Sequence, residues 1–211
     1  YKRQIIDYLD GRGVKLVVIA CNTLTVLGVD TLKGSHAFEI VGMSKGAQLV
    51  LAASSRKKIG VFATEFTINS GAHKAAILAA DDGADVYPQA CPKFVPLIEG
   101  EQFDGAEVRA AVAEYAAPLK AAGIDTLILS CTHYPFIQKE IEREFGSEVT
   151  VIDPADATAQ DTKTVLAAEG LLRSEGAGSL EVCFTADVER GARIAGRVLP
   201  QGKCLFKEIK L

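Results

Sequence analysis

The sequence predicts an α/β fold of two related lobes, with mainly parallel sheets flanked by helices. Short apolar runs alternate with helical patterns along the 211 residues, as in chains of βαβ units. Residues 13–23 (GVKLVVIACNT) align without a gap with residues 123–133 (GIDTLILSCTH), at an offset of 131 − 21 = 110. Each repeat carries a cysteine directly after its apolar strand, at Cys21 and Cys131.

Apolar periodicity and glycine boundaries locate the elements of the first part of the chain. Ile5 and Leu9 share one face of a short helix that Gly11 ends, and the apolar run that follows is a strand at 15–20. The further elements predicted here are a weak helix at 24–32, a strand at 39–42, a helix at 45–54, a strand at 58–63, a hydroxyl-rich turn at 64–67, a helix at 70–82 and a strand at 84–87.

Two prolines, Pro92 and Pro96, interrupt residues 89–101 and predict an irregular crossing loop there. A long helix at 105–122 then leads into the second cysteine strand, 127–130. The elements predicted after it are a helix at 136–145, a strand at 148–152, a helix at 156–172, a strand at 180–184, a helix at 188–199 and a strand at 204–209.

Composition and charge exclude several classes of protein. With 48% apolar and 24% charged residues the chain is an ordinary globular protein, and no run approaches the roughly 18 apolar residues of a membrane span. No secretory leader opens the chain, so we expect a cytoplasmic protein without membrane contact. A net charge of −4 without a basic stripe argues against nucleic acid. Five scattered cysteines without CxxC spacing argue against a zinc site and a disulfide framework.

The two strand-end cysteines are candidate catalytic groups. Open α/β sheets bind their ligands at the carboxyl ends of strands, where Cys21 and Cys131 lie. One cysteine there is more often a small core residue, but two at equivalent points of a repeat favour a shared chemical role. The other three, Cys91, Cys183 and Cys204, are predicted to pack in the interior. His36 is predicted in a loop and His73 on a helix surface.

Four blocks of sequence carry a resemblance to a known family. They are IACNT at 19–23, GVFATEFTINSG at 60–71, ACPKFVPLIEG at 90–100 and SCTHYP at 130–135. Together they resemble the glutamate racemases of the aspartate/glutamate racemase superfamily, in the family's order and over essentially the whole chain. His133 favours glutamate, because aspartate racemases usually carry Glu soon after the second cysteine.

The resemblance implies a fold of two α/β lobes with the active site in the cleft between them. Residues 1–45 with 155–211 would form the first lobe, N-terminally incomplete, and residues 46–154 the second. Cys131 would act on the L enantiomer and Cys21 on the D enantiomer, with His133 assisting Cys131 and Glu99 as the family's loop carboxylate. The positions that match substrate-binding residues are Asn22, Thr23, Thr64, Thr67 and Thr132.

Each of these residues also has a plainer interpretation. Without the resemblance, Glu99 would be a solvated loop charge, His133 a hydrogen-bonded residue at a strand end, and each threonine a cap or turn residue. Racemisation itself requires two acid/base groups that face each other across the substrate, which two thiols provide. A free thiol has a pKa near 8.5, so we expect a helix N-terminus after each cysteine to lower it. No pyridoxal phosphate lysine site is evident, so no cofactor is expected.

The chain also departs from the family. Family members begin with a strand and an Asp-Ser-Gly loop, whose Asp assists the first cysteine, and a Pro-Tyr-Gly loop follows. Neither loop is present, and Tyr1 matches a point well inside the family's first lobe. We therefore expect impaired activity in this chain, together with an exposed sheet edge that favours self-association, for example as a homodimer.

Several functions stay open at this stage. The main one is racemisation of glutamate, which in this family supplies D-glutamate for peptidoglycan. The alternatives are a racemase of aspartate or another amino acid, a related decarboxylase, and a non-catalytic module that binds acidic amino acids. A nucleotide binder is disfavoured, because neither a G-x-G-x-x-G after a strand nor a P-loop occurs.

Overall fold

The computed structural model describes residues 2–32, 36–199 and 204–211 as an α/β protein. In chain order its elements are α1 (Lys2–Asp10), β1 (Leu16–Ile19), α2 (Asn22–Leu32), β2 (Glu39–Gly42), α3 (Ala47–Ala53), β3 (Lys58–Ala63), α4 (Glu65–Asn69), α5 (Ala72–Ala80), β4 (Asp85–Ala90), α6 (Phe94–Glu99), α7 (Ala106–Ala122), β5 (Thr126–Ser130), α8 (Gln138–Phe145), β6 (Thr150–Ile152), α9 (Ala155–Ala168), β7 (Leu180–Phe184), α10 (Val188–Ala195) and β8 (Cys204–Glu208).

The strands form three sheets in the described part of the chain, and every strand pair in them is parallel. The largest has four strands in the order β4-β3-β5-β6, and β1-β2 and β7-β8 are two-stranded. The predicted α/β fold with parallel sheets is confirmed. Strands β2, β3 and β7 have the predicted bounds.

The four-stranded sheet is covered on both faces, which explains the continuous apolar runs of its central strands. All five residues of β5 are buried. Leu127 and Leu129 pack with residues of α7 and α8 on one face, and Ile128 packs with Val50 of α3 and Ile77 of α5 on the other. The alternation of side chains along β5 therefore divides the core into two layers.

Residues 89–101 are not the irregular loop that the prolines predicted. Strand β4 continues to Ala90, and α6 begins at Phe94. Pro96 lies in the first turn of α6, where a missing N–H costs no intrahelical hydrogen bond, and Pro88 lies on an edge strand. Residues 64–67 also differ from the predicted turn, because Thr64 caps the short helix α4.

His73 is buried, at 4% exposure, so its predicted position on a helix surface is wrong. Neither ring nitrogen has a hydrogen-bond partner among the described residues. Burial, with a smaller contribution from the charge of Lys45, lowers the pKa of His73 to about 4. The ring is therefore neutral at physiological pH. The small side chains of α5 gave no apolar pattern from which its buried face could be identified.

The remaining histidine and cysteine predictions differ in outcome. Cys91 is buried in the core beneath β5, as predicted, and burial raises the pKa of its thiol. Cys183 and Cys204 are only half-buried. His36 lies outside regular structure, as predicted, and its ring stacks on Phe38 at 5.1 Å between centroids.

None of the helices described is long and apolar enough to cross a bilayer.

Two glycines at helix N-caps test how tightly the core fixes the segment before α3. Gly46 and Gly71 have left-handed φ angles of 61° and 67°. A Cβ on Gly46 would overlap Ile128 Cδ1, whereas a Cβ on Gly71 would meet nothing within 4 Å. We expect Gly71→Ala to lower the free energy of unfolding by about 1–2 kcal/mol through backbone strain alone.

Gly46→Ala should cost about 1–3 kcal/mol more than this control, because Ile128 is fully buried and cannot move without disturbing the core. Urea unfolding of the two variants and the parent measures both changes. Equal losses in the two variants would contradict the predicted overlap with Ile128.

Candidate active site

The ends of β3 and β5 lie side by side and bring two predicted site segments together. In the register of these strands Ala63 is opposite Ser130. Thr64 and Cys131 each follow directly after these strand ends, at the carboxyl edge of the sheet. Cys21 lies in the corresponding place after β1, immediately before α2 begins at Asn22.

Three hydroxyl groups converge at this edge. The Thr23 Oγ1 atom lies 2.9 Å from Thr64 Oγ1 and 3.0 Å from Thr67 Oγ1, and the last two are 3.0 Å apart. Thr23 belongs to α2, whereas Thr67 belongs to α4 and is 1% exposed. Each hydroxyl can rotate its proton, so the triangle can turn three donors toward a carboxylate.

A chain of polar contacts connects Cys131 to a carboxylate. His133 Nδ1 lies 3.9 Å from Cys131 Sγ, and His133 Nε2 lies 2.7 Å from Glu99 Oε1 at the end of α6. A carboxylate accepts hydrogen bonds, which assigns the proton of a neutral ring to Nε2 and leaves Nδ1 free to accept from the thiol. The contact with His133 lowers the pKa of Glu99, burial raises it by less, and Arg190 lowers it further. Glu99 is therefore ionised at neutral pH.

The thiol of Cys131 has a raised pKa, contrary to the expectation that a helix N-terminus would lower it. Burial is the main cause and raises the pKa of Cys131 to about 11, although the backbone N–H groups of His133 and Tyr134 oppose this. The charge of Cys21 raises the Cys131 pKa further. The expected helix N-terminus also does not follow Cys131 directly, because residues Tyr134–Ile137 form a 3₁₀ turn and α8 begins only at Gln138.

Two further predicted residues, Asn22 and Thr132, line one cavity of about 220 Å³. Asn22 is 3% exposed, and its Nδ2 finds no hydrogen-bond partner within residues 2–32, 36–199 and 204–211. An unpaired buried donor is costly, so a ligand or water that accepts from it would be stabilised. The structure describes all nine predicted site residues. Eight of them follow the carboxyl ends of β1, β3 or β5, and the ninth, Glu99, is the last residue of α6.

Sequence reasoning missed two polar residues at this edge. Ser130 is fully buried at the end of β5, and its Oγ has no partner among the described side chains and backbone. Arg190 of α10 places Nη2 at 2.6 Å from Glu99 Oε2. Neither residue gave a signal, because a serine in an apolar strand and an arginine on a polar helix face are both ordinary. Within the described ranges, no three His, Cys, Asp or Glu side chains form a metal-binding group.

Comparison with known proteins assigns the family. Residues 3–162 match the family described as Asp/Glu/Hydantoin racemase. This chain belongs to the Asp/Glu/Hydantoin racemase family. One relative is the glutamate racemase of Lysinibacillus sphaericus (strain C3-41), 37% identical over 210 residues that cover 99% of this chain and 79% of the relative. The glutamate racemase of Aquifex aeolicus is 40% identical over 186 residues, covering 88% of this chain and 69% of the relative.

Solved structures of family members agree with the fold. A glutamate racemase isoform from Bacillus anthracis superposes with a TM-score of 0.88 at 30% identity, covering 98% of this chain and 77% of that one. The glutamate racemase of Francisella tularensis in complex with D-glutamate gives a TM-score of 0.82 at 26% identity, with coverages of 97% and 76%. The resemblance based on four sequence blocks is therefore confirmed at the level of the family.

The raised pKa of Cys131 predicts how its alkylation depends on pH. With a pKa of about 11, the thiolate fraction grows about tenfold for each pH unit below that value. The iodoacetamide rate at Cys131, followed by peptide mass spectrometry, should therefore rise without a plateau from pH 7 to pH 9.5. Cys91 is 1% exposed and serves as a slower internal control. A plateau at Cys131 below pH 9 would show that its thiolate is stabilised.

Proposed function

We propose that this chain catalyses the cofactor-independent interconversion of L- and D-glutamate, with Cys21 and Cys131 as its two acid/base groups. The observation that carries the proposal is the contact chain of Cys131, His133 and Glu99 at the sheet edge, and the charge of Cys21 acts on the same thiol by raising the Cys131 pKa. The relatives named above are glutamate racemases, and the Francisella tularensis structure contains D-glutamate. We infer the same substrate here.

The contact chain suggests how Cys131 becomes a base. Its proton moves from Sγ to Nδ1 of His133, and Glu99 stabilises the resulting imidazolium through Nε2. The Cys131 thiolate then removes the α-proton of L-glutamate. A thiolate whose conjugate acid has a pKa of about 11 is a stronger base than an ordinary thiolate, although a smaller fraction is ionised.

Cys21 completes the L-to-D direction by donating its thiol proton to the opposite face of the carbanion. Cys131 is then a thiol and Cys21 a thiolate, so the pair is poised for the reverse reaction on D-glutamate. Cys131 now holds the α-proton of the substrate, the extra proton on His133 balances the one lost by Cys21, and no oxidant or reductant is consumed. Exchange of protons with solvent resets the pair for another turnover in the first direction.

Hydroxyl and amide groups are proposed to hold the substrate carboxylates. The hydroxyl triangle of Thr23, Thr64 and Thr67 offers three rotatable donors, and the unpaired amide of Asn22 offers another near Thr132. In this proposal the substrate lies between a first lobe of 1–45 with 155–211 and a second lobe of 46–154. Thr23 and Asn22 would come from the first lobe, and the other hydroxyls from the second.

The proposed cellular role follows that of the family. D-glutamate made by this reaction would enter peptidoglycan, and we place the reaction in the cytoplasm. Cys21, Cys91, Cys131 and Cys183 are free thiols, which is typical of a reducing compartment. Association into a homodimer stays a prediction.

The central experiment measures loss of the Cα proton signal from L-glutamate and, separately, from D-glutamate in deuterium oxide. We expect exchange with both enantiomers and none with the Cys21→Ala Cys131→Ala double variant. Each single variant should racemise about 10²- to 10⁴-fold more slowly, because one acid/base group is lost. Cys183→Ala removes a half-buried thiol outside the site and should leave the rate unchanged.

The same experiment separates the alternatives. Absence of exchange from folded wild-type protein would overturn the proposal, and calorimetric binding of D-glutamate without exchange would identify a binding module. Faster exchange of aspartate would identify an aspartate racemase, and release of carbon dioxide a decarboxylase. Each outcome concerns the reaction and not the fold, which many activities share.

A second prediction tests the hydroxyl triangle. Thr23→Val keeps the shape of the side chain but removes one of three converging donors. We expect KM for D-glutamate to rise about tenfold or more, because a charged carboxylate loses a hydrogen bond. Thr164→Val is the matched control, since its hydroxyl bonds only within α9, to the Gln160 carbonyl. An unchanged KM in Thr23→Val would show that the hydroxyl triangle does not bind the substrate.

A further inference from the structure

Glu99 uses both of its carboxylate oxygens, each with a different partner. Oε1 lies 2.7 Å from His133 Nε2, and Oε2 lies 2.6 Å from Arg190 Nη2 on α10. Arg190 is separated from Glu99 by 91 residues in sequence and, in the part of the chain that the structure describes, makes no hydrogen bond with either thiol. We infer that Arg190 is a positioning residue for the racemase reaction, holding the Glu99 carboxylate so that it orients His133 beside Cys131. The inference rests on the proposed function.

The contact matters because Glu99 has little else to fix it. Its side chain is 40% exposed, and it is the last residue of α6, where the backbone leaves the helix. An exposed carboxylate held at one oxygen can rotate and exchange its partner for water. Two charge-assisted hydrogen bonds at opposite oxygens restrict that rotation. An ion pair with this exposure contributes little to stability, so any effect of Arg190 on turnover would be positional.

A second ion pair beside the first provides a matched control. Arg193, one helical turn further along α10, contacts Glu101 through Nε at 3.1 Å and Nη2 at 2.7 Å. This pair joins the same helix to the same segment through the same chemistry. In the described part of the chain Glu101 makes no hydrogen bond or ion pair with His133, so Arg193 would tether α10 without reaching the thiols. Comparing variants of Arg190 and Arg193 therefore separates the positioning of Glu99 from the simple tethering of α10.

The charges around Glu99 predict a change in pH dependence. The groups that act on its carboxylate are His133, from the turn after β5, and Arg190, from α10, and both lower the Glu99 pKa. Arg190 in turn faces Asp187 at 3.8 Å on its own helix. Loss of the arginine charge raises the pKa of Glu99 toward its ordinary value. The acid limb of the pH profile should accordingly move to higher pH.

The test is a double-mutant cycle measured as kcat and KM for D-glutamate. We expect R190Q to lower kcat about fivefold with KM within about twofold, and to shift the acid limb upward. R190Q should have no further effect in an E99Q background, because Arg190 is proposed to act on Cys131 only through the Glu99 carboxylate. R190K, which keeps the charge, should recover most of the rate. R193Q should leave kcat and the pH profile unchanged.

The ring ¹⁵N signals of His133 give a readout that does not depend on turnover. The chain has three histidines, so the H133N variant assigns these signals directly. R190Q should shift them and R193Q should not. If wild-type protein shows no turnover, the proposed function fails while these spectra still test the contact. Equal effects of R190Q and R193Q on rate and spectra, or an R190Q effect that persists in E99Q, would overturn the inference.

Discussion

The register of β3 against β5 is the constraint on which the site depends. Ala63 pairs with Ser130, so both strands end level and release Thr64 and Cys131 at the same edge. All five residues of β5 are buried, which makes a slip of one residue costly, because every side chain would move to the other layer of the core. The precision of the hydroxyl triangle and of the thiol position therefore derives from apolar packing away from both.

Charge in the site is arranged by depth. Cys131 is 8% exposed, whereas the side chains of His133 and Glu99 are 34% and 40% exposed. A permanent negative charge would be expensive at the depth of the thiol, and burial accordingly keeps the thiol protonated at rest. Glu99, which would stabilise the imidazolium formed by proton transfer, lies nearer solvent, where the ionisation of its carboxylate costs little. His133 lies between the two groups, with Nδ1 toward the Cys131 thiol and Nε2 toward the Glu99 carboxylate.

The sequence predicted the strands well because continuous apolar runs have few other uses in a chain of this composition. The sequence prediction is wrong at α6, because Pro96 suggests a helix break although the first turn of a helix accepts proline. It failed also for His73, whose burial depends on how α5 packs. The repeat revealed both thiols, but the raised pKa of Cys131 follows from its burial in the folded core, which no local pattern specifies. The Arg190 contact joins residues 91 positions apart, so only the folded chain reveals it.

The two cysteines occupy equivalent backbone positions in the repeat, but their chemical surroundings differ. Cys131 is buried and has His133 and Glu99 behind it, whereas Cys21 is half-buried at the start of α2. Enantiomers have equal free energies in an achiral solvent, so the equilibrium constant of a racemisation is one and kcat/KM must be equal in the two directions. Unequal surroundings of the two sulfurs therefore cannot favour one product. They can only divide the same transition-state stabilisation differently between kcat and KM for each enantiomer.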